Sequence, residues 1–187
     1  PRPSPPSPSA CRDALPPLFE MVSALPYTEL QKMLDGIGFR GNFAYEKAIY
    51  SDDLSDGLID VLVNTLPAKA SPMSATPIAL VGGAYAEVPD HATAFGGPRR
   101  TSFVVGLTAI CPVPELLPTD RAWVRSTWER LLPYASNTGG YVNFMADYEQ
   151  DRVRVTYGPA KYDRLARIKA AYDPENVFHH NGNIKPR

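Results

Sequence analysis

Three ionisable side chains stand on segments whose patterning predicts β-structure, and they are the candidates for proton transfer: Tyr45 and Glu46 within 42–50, and Tyr85 within 78–88. A phenol titrates near pKa ~10, so either tyrosine needs a neighbouring cation to be useful at neutral pH. The competing reading makes Tyr45 and Tyr85 amphipathic wall residues with satisfied hydroxyls. Asn176, Asn181 and Asn183 form a second set near the C-terminus. Their amides both donate and accept hydrogen bonds, which suits a polar ligand edge, but asparagine also forms turns. His179-His180 hints at a metal, yet adjacent rings are expected to diverge and no third ligand cluster is visible, so surface histidines are the expectation.

The elements that position these groups are legible by period. Thr28 and Gln31 make a capping-box pair ahead of an apolar face of Leu30, Met33 and Leu34, which predicts a helix over 28–35. In 42–50, Phe43, Tyr45, Lys47 and Ile49 alternate with a mixed second face whose polar members could line a pocket. Ser55 is placed as an N-cap, Leu54 and Ile59 as a staple, and Leu58, Val61, Leu62 and Thr65 as the inward stripe of a helix ending at Pro67. A strand over 78–88, interrupted at Gly82-Gly83, follows a loop.

The segment 101–111 is apolar on both faces and predicts a central strand. Thr119 or Asp120 is expected to cap the next helix, which carries Val124, Trp128, Leu131 and Ala135 inward. From Tyr141 onward the pattern predicts a short alternating strand with Tyr141 and Asn143 on one face and Phe144 on the other. A helix over 159–172 follows, with Tyr162, Leu165, Ile168 and Tyr172 inward, then an Asp-Pro stop and an Asn-rich tail. Helices interleaved with strands, without a βαβ glycine fingerprint, predict an α+β fold: an antiparallel sheet covered on one face by helices.

The 187 residues suit one compact unit plus a tail, and 44% apolar content is enough for a core. A net charge of -1 with no basic stripe argues against nucleic acid and anionic membrane surfaces. The longest apolar stretch, 103–112, falls far short of the ~20 residues a spanning helix needs. Cys11 and Cys111 make neither a disulfide framework nor a metal cluster, and are expected as reduced thiols. Seven of the first seventeen residues are proline, so 1–14 is expected to be a disordered linker, with a substrate-binding portion over 15–140 and a C-terminal segment over 141–187. The first residues lack a secretory signal and an initiating Met; a processed or excised, soluble chain is the expectation, with the cytoplasm favoured.

In order and spacing, Tyr141, Asn143, Phe144, Tyr157, Gly158, Arg164, Leu165, Lys169, Asp173, Pro174, Asn176, Phe178, Asn183 and Ile184 fill one recurring pattern. It closely resembles the C-terminal segment of the berberine-bridge-enzyme-like flavoproteins, FAD-linked oxidoreductases of the vanillyl-alcohol-oxidase type. The resemblance extends over about 26–187 and implies part of their substrate domain. It implies FAD in the complete enzyme, with hydride passing to flavin from a small-molecule alcohol or amine. The family binds FAD mainly through an N-terminal region that does not match here, so the implied partners are that missing portion, or a second copy at an exposed sheet edge. The resemblance places Tyr85, Tyr45 and Glu46 on strands bordering the cavity. It places Asn143, Phe144, Asn176, Asn181 and Asn183 toward the flavin. Where some members carry a tyrosine base this chain has Phe144, and the strand over 101–111 holds no carboxylate, so both familiar base positions are empty. The alternative is a flavin-free binding or assembly module derived from such an enzyme.

Overall fold

The computed structural model describes residues 23–33, 35, 41–136, 140–144, 150–180 and 182–187. The chain divides into two units, Pro1–Arg40 and Gly41–Arg187, each described by itself. In the first, α1 (Tyr27–Lys32) starts after Pro26, whose ring holds φ at -56°. Thr28 therefore lies inside the helix and the expected capping box does not form. Leu34, Cys11 and the proposed linker over 1–14 fall outside the described residues.

In the second unit, the segment with two apolar faces is the middle strand, as its pattern demands. Strand β3 (Ser102–Cys111) pairs antiparallel with β1 (Phe43–Ser51) and with β2 (Ile78–Val81), in the order β1-β3-β2. The register sets Tyr45 opposite Ala109 and Ile49 opposite Val105 on one face, and Glu46 opposite Thr108 and Tyr50 opposite Val104 on the other.

Helices α2 (Asp56–Thr65) and α4 (Leu117–Leu131) cover the first of these faces. Leu58, Val61, Leu62, Trp123, Val124 and Leu131 pack there on Tyr45, Ile49, Val105, Leu107 and Ala109. Each large aliphatic side chain so buried contributes about 1.5–3 kcal/mol. The fold is thus the expected α+β arrangement, with helices on one face of an antiparallel sheet.

Four local expectations are corrected. Strand β2 stops at Val81: Gly83, at φ 59°, turns the chain, and α3 (Ala84–Glu87) follows, so Tyr85 stands on a helical turn. Helix α4 begins at Leu117 with Pro118 in its first turn, so neither Thr119 nor Asp120 is its cap. Asp120 is instead fully buried, accepting from the Ala70 and Ser71 amides and the Ser74 hydroxyl, with the Cys111 thiol 3.7 Å away.

Among the described residues after Tyr141 there is no strand: Val142–Phe144 is a 3₁₀ turn, and α5 (Gln150–Tyr157) buries Val153 and Thr156, three apart on one helical face. Helix α6 (Pro159–Tyr172) starts after Gly158, at φ 73°, and turns Lys161, Tyr162 and Ala166 inward. Leu165 is half-buried, whereas Ile168 and Tyr172 are exposed, because the face toward Val153 is the one that finds apolar partners.

Candidate functional site

The helix-free face of the sheet is built from small residues around one carboxylate. Strand alternation puts Ala44, Glu46, Ala48 and Tyr50 on this face of β1, opposite Ile110, Thr108, Gly106 and Val104 of β3. Ala75 bridges to Thr108, and the Gly106 amide donates to Pro77 O at 2.8 Å, extending the floor by one more row. Glu46 thus sits between two alanines and faces the Thr108 hydroxyl, with glycine rather than a side chain diagonally across the ladder. Burial pushes its carboxyl above the usual range, partly offset by the hydrogen bond from Thr108. A half-buried carboxylate whose proton affinity is raised by burial is equipped to accept a proton from a small molecule.

One end of this face is walled by aromatic rings. Tyr50 is buried with Ala48 and Val104, and Tyr141, Phe144 and Val81 pack on them. Phe144 meets Tyr141 edge-on at 5.0 Å, and Phe95 meets Tyr85 edge-on at 5.4 Å. The Arg99 guanidinium lies over the Tyr85 and Phe95 rings, at 4.9 and 4.8 Å. Burial, then the neighbouring Tyr85 and Tyr141, push the Tyr50 phenol far above its ordinary value.

Gly97 is closely approached within this wall, where an added methyl would run into the Phe95 ring and the Tyr50 hydroxyl. Gly97→Ala is expected to cost about 1–3 kcal/mol by overpacking. Urea unfolding checks this, and an unchanged midpoint would mean that the wall yields freely.

The structure separates the three proton-transfer candidates. Glu46 is on the helix-free face. Tyr45, next in sequence, is on the opposite face, buried at the α4 seam, with its hydroxyl accepting from Arg125 Nε at 3.0 Å and Arg121 above its ring at 4.8 Å. Tyr85 has the cation that a tyrosine base requires, yet burial outweighs Arg99 and its phenol is raised; its proton is directed to Pro98 O at 2.6 Å.

The cofactor candidates form two groups. Asn143 donates to the Tyr141 hydroxyl at 2.9 Å, beside Phe144. Asn176 and Asn183 belong to the C-terminal arm, whose Ile184 packs on the cluster of Val153, Tyr162 and Ala166. Asn181 lies outside the described residues.

The Asp173 carboxylate organises the arm's first turn. It accepts from the Val177 and Phe178 amides at 2.7 and 3.1 Å and pairs with Lys169, which holds its carboxyl below the usual range. Asn176 adopts φ 52° in this turn, and its buried Oδ1 has no hydrogen-bond partner. The turn-forming reading of Asn176 therefore describes its backbone, while its side-chain oxygen is left to accept from something else. His179 and His180 stack at 4.8 Å rather than diverging. Among the described residues no group of three His, Cys, Asp or Glu could hold a metal ion, and no helix is long and apolar enough to cross a membrane.

Sequence reasoning missed Tyr50, Phe95 and Arg99. For Tyr50 the signal was present, since it is four residues from Glu46 in an alternating strand and must share its face. Phe95 and Arg99 come from an irregular loop, which carries no such period.

Residues 140–185 match the family model for berberine and berberine-like domains. An FAD-linked oxidoreductase of Dictyostelium discoideum is 26% identical over 172 residues, which make up 91% of this chain and 37% of that protein. The crystal structure of 6-hydroxy-D-nicotine oxidase from Arthrobacter nicotinovorans superposes with a TM-score of 0.68 at 20% identity, covering 91% of this chain and 38% of that one. A grass pollen allergen with glucose dehydrogenase activity gives a TM-score of 0.65 at 20% identity, covering 78% and 33%. The chain thus spans about a third to two fifths of the length of these relatives.

Proposed function

We propose that this chain, whose residues 140–185 match the berberine-like family model and which is 26% identical to an FAD-linked oxidoreductase, forms the substrate-side wall of an enzyme that removes a hydride from a small alcohol or amine. FAD supplies the hydride acceptor when bound. The observation that carries the reading is the helix-free sheet face with Glu46 as its half-buried carboxylate. On it, Glu46 takes the proton released from the substrate O–H or N–H, and Thr108 holds the carboxylate in place. Pro77 packs over Gly106 and closes that part of the floor, and the Tyr50 and Phe144 rings exclude water at one end.

The residues present fit one part of the cofactor. The unpaired Asn176 oxygen is an acceptor for a ring N–H, and Asn183 stands in the same arm. The 187 residues hold no glycine fingerprint for a pyrophosphate. Asn176 and Asn183 would therefore hold the polar edge of the isoalloxazine and leave the dinucleotide to other segments.

The test is anaerobic. Full-length protein carrying flavin is mixed with a panel of secondary alcohols and amines, and loss of the oxidised-flavin absorbance is followed. Bleaching by a member of the panel is the expected result; protein with flavin that no member reduces would sink the reading. A second reading, a flavin-free assembly module, is favoured by the exposure of Leu80 at 65% and Phe178 at 80%. Full-length protein purified without flavin and self-associated would select it.

A further inference from the structure

We propose that Lys161 is a positioning residue that straps the loop over 90–100 to helix α6 and so sets the aromatic wall of the site. This rests on the sheet-face reading above for its functional half only. Lys161 is a cation drawn into the interior: its side chain is 7% exposed, on the inward face of α6 beside Tyr162. Its ammonium donates to Asp90 Oδ1 at 2.8 Å and to Phe95 O at 2.6 Å. Burying an ammonium is costly unless its protons are satisfied, so the loop must come to it.

Arg164, one turn on, donates to His91 O at 2.7 Å and pins the same loop a second time. The strapped loop carries Phe95, which meets Tyr85 and Tyr141, and Gly97, which passes closely over Tyr50. Arg99 completes it: Nη1 donates to Tyr85 O at 3.3 Å and Nη2 to Thr93 Oγ1 at 2.6 Å. A cleft of about 420 Å³ lies between this loop and the end of α5, lined by Asp90, Gly96 to Arg100, and Val155 to Gly158. One lysine on the C-terminal helix thus fixes a loop far away in sequence, and through it the position of the rings that bound the sheet face.

Two readouts are needed on the flavin-loaded full-length protein: amide hydrogen exchange across 88–100, and steady-state kinetics with a substrate that bleaches the flavin. Lys161→Met should raise exchange in that loop by tenfold or more and raise KM about tenfold, with kcat changed less than threefold. Arg164→Ala, which removes only a surface contact, should move both in the same direction by a smaller factor and serves if the methionine variant fails to fold. Unchanged loop exchange in both variants would overturn the strap. Faster exchange with unchanged KM would overturn the positioning role. Should wild-type protein bleach with no substrate, the sheet-face reading has failed, and loop exchange alone still decides the strap.

Discussion

Replacing Asp120 by alanine is expected to lower the stability of the protein by about 3–5 kcal/mol. The carboxylate has no accessible surface, and the Ala70 amide, the Ser71 amide and the Ser74 hydroxyl all converge on it. In the variant the buried Ser71 amide is left an orphan and the buried Ser74 hydroxyl loses its main acceptor, at about 1–3 kcal/mol each before relaxation. Ser71 and Ser74 also hold the Ile110 carbonyl and amide at 2.6 and 3.0 Å, so the loop and the edge of β3 loosen together.

The pH dependence has a definite sign. The donors more than offset burial and hold the Asp120 carboxyl below its ordinary value. Its stabilisation is therefore fully present above the unfolded pKa of ~3.9 and disappears as pH falls through the lower folded value. Urea midpoints measured from pH 6 down to pH 2 should show that acid limb weakened in Asp120→Ala. Equal slopes in the two proteins would place the titrating group elsewhere.

Glu46→Gln is expected to reduce turnover of the flavin-loaded full-length protein by about 10²–10⁴-fold, the range a general base supplies. Glutamine keeps the size of the side chain and its contact with Thr108, but it has no basic oxygen. Wild-type kcat should rise with pH through a pKa above the usual carboxylate range, because burial raises Glu46, and the variant should lack that limb.

Stability should move the other way. A carboxyl whose folded pKa is raised binds its proton more tightly when folded, so ionising it costs stability as pH rises above the unfolded value of ~4.3. At pH 7 the variant, which carries no charge to bury, should unfold no earlier than wild type, and loss of activity without loss of stability is the signature of a site residue. A variant that turns over at the wild-type rate would remove Glu46 from the chemistry, and one that loses activity and folding together would make it structural.

Where the sequence was legible, a single period governed a segment. The doubly apolar 101–111 had to be a central strand, and the stripe of Leu58, Val61, Leu62 and Thr65 had to be the buried face of a helix. The ordered C-terminal motif pointed, before any coordinate did, to the family whose model matches residues 140–185. Reading failed where local signals compete with partners far along the chain. Asp120 looks like a cap because capping is what an aspartate near a helix start does unless a loop brings it better donors. The pattern from Tyr141 predicts a short strand, yet Val142–Phe144 is a 3₁₀ turn, and in the helix that follows Val153 is buried against Tyr162 and Ala166 of α6.

By itself the sequence determined which residues can carry charge, which stretches must be buried, and that Tyr45 and Glu46 must point to opposite faces if they share a strand. Only the tertiary structure decided which of those faces the helices would cover. That choice sends Tyr45 into the α4 seam and leaves Glu46 among small residues, because α2 and α4 bury more apolar surface on the face of Ile49, Val105 and Leu107 than the alanine and glycine face could offer them.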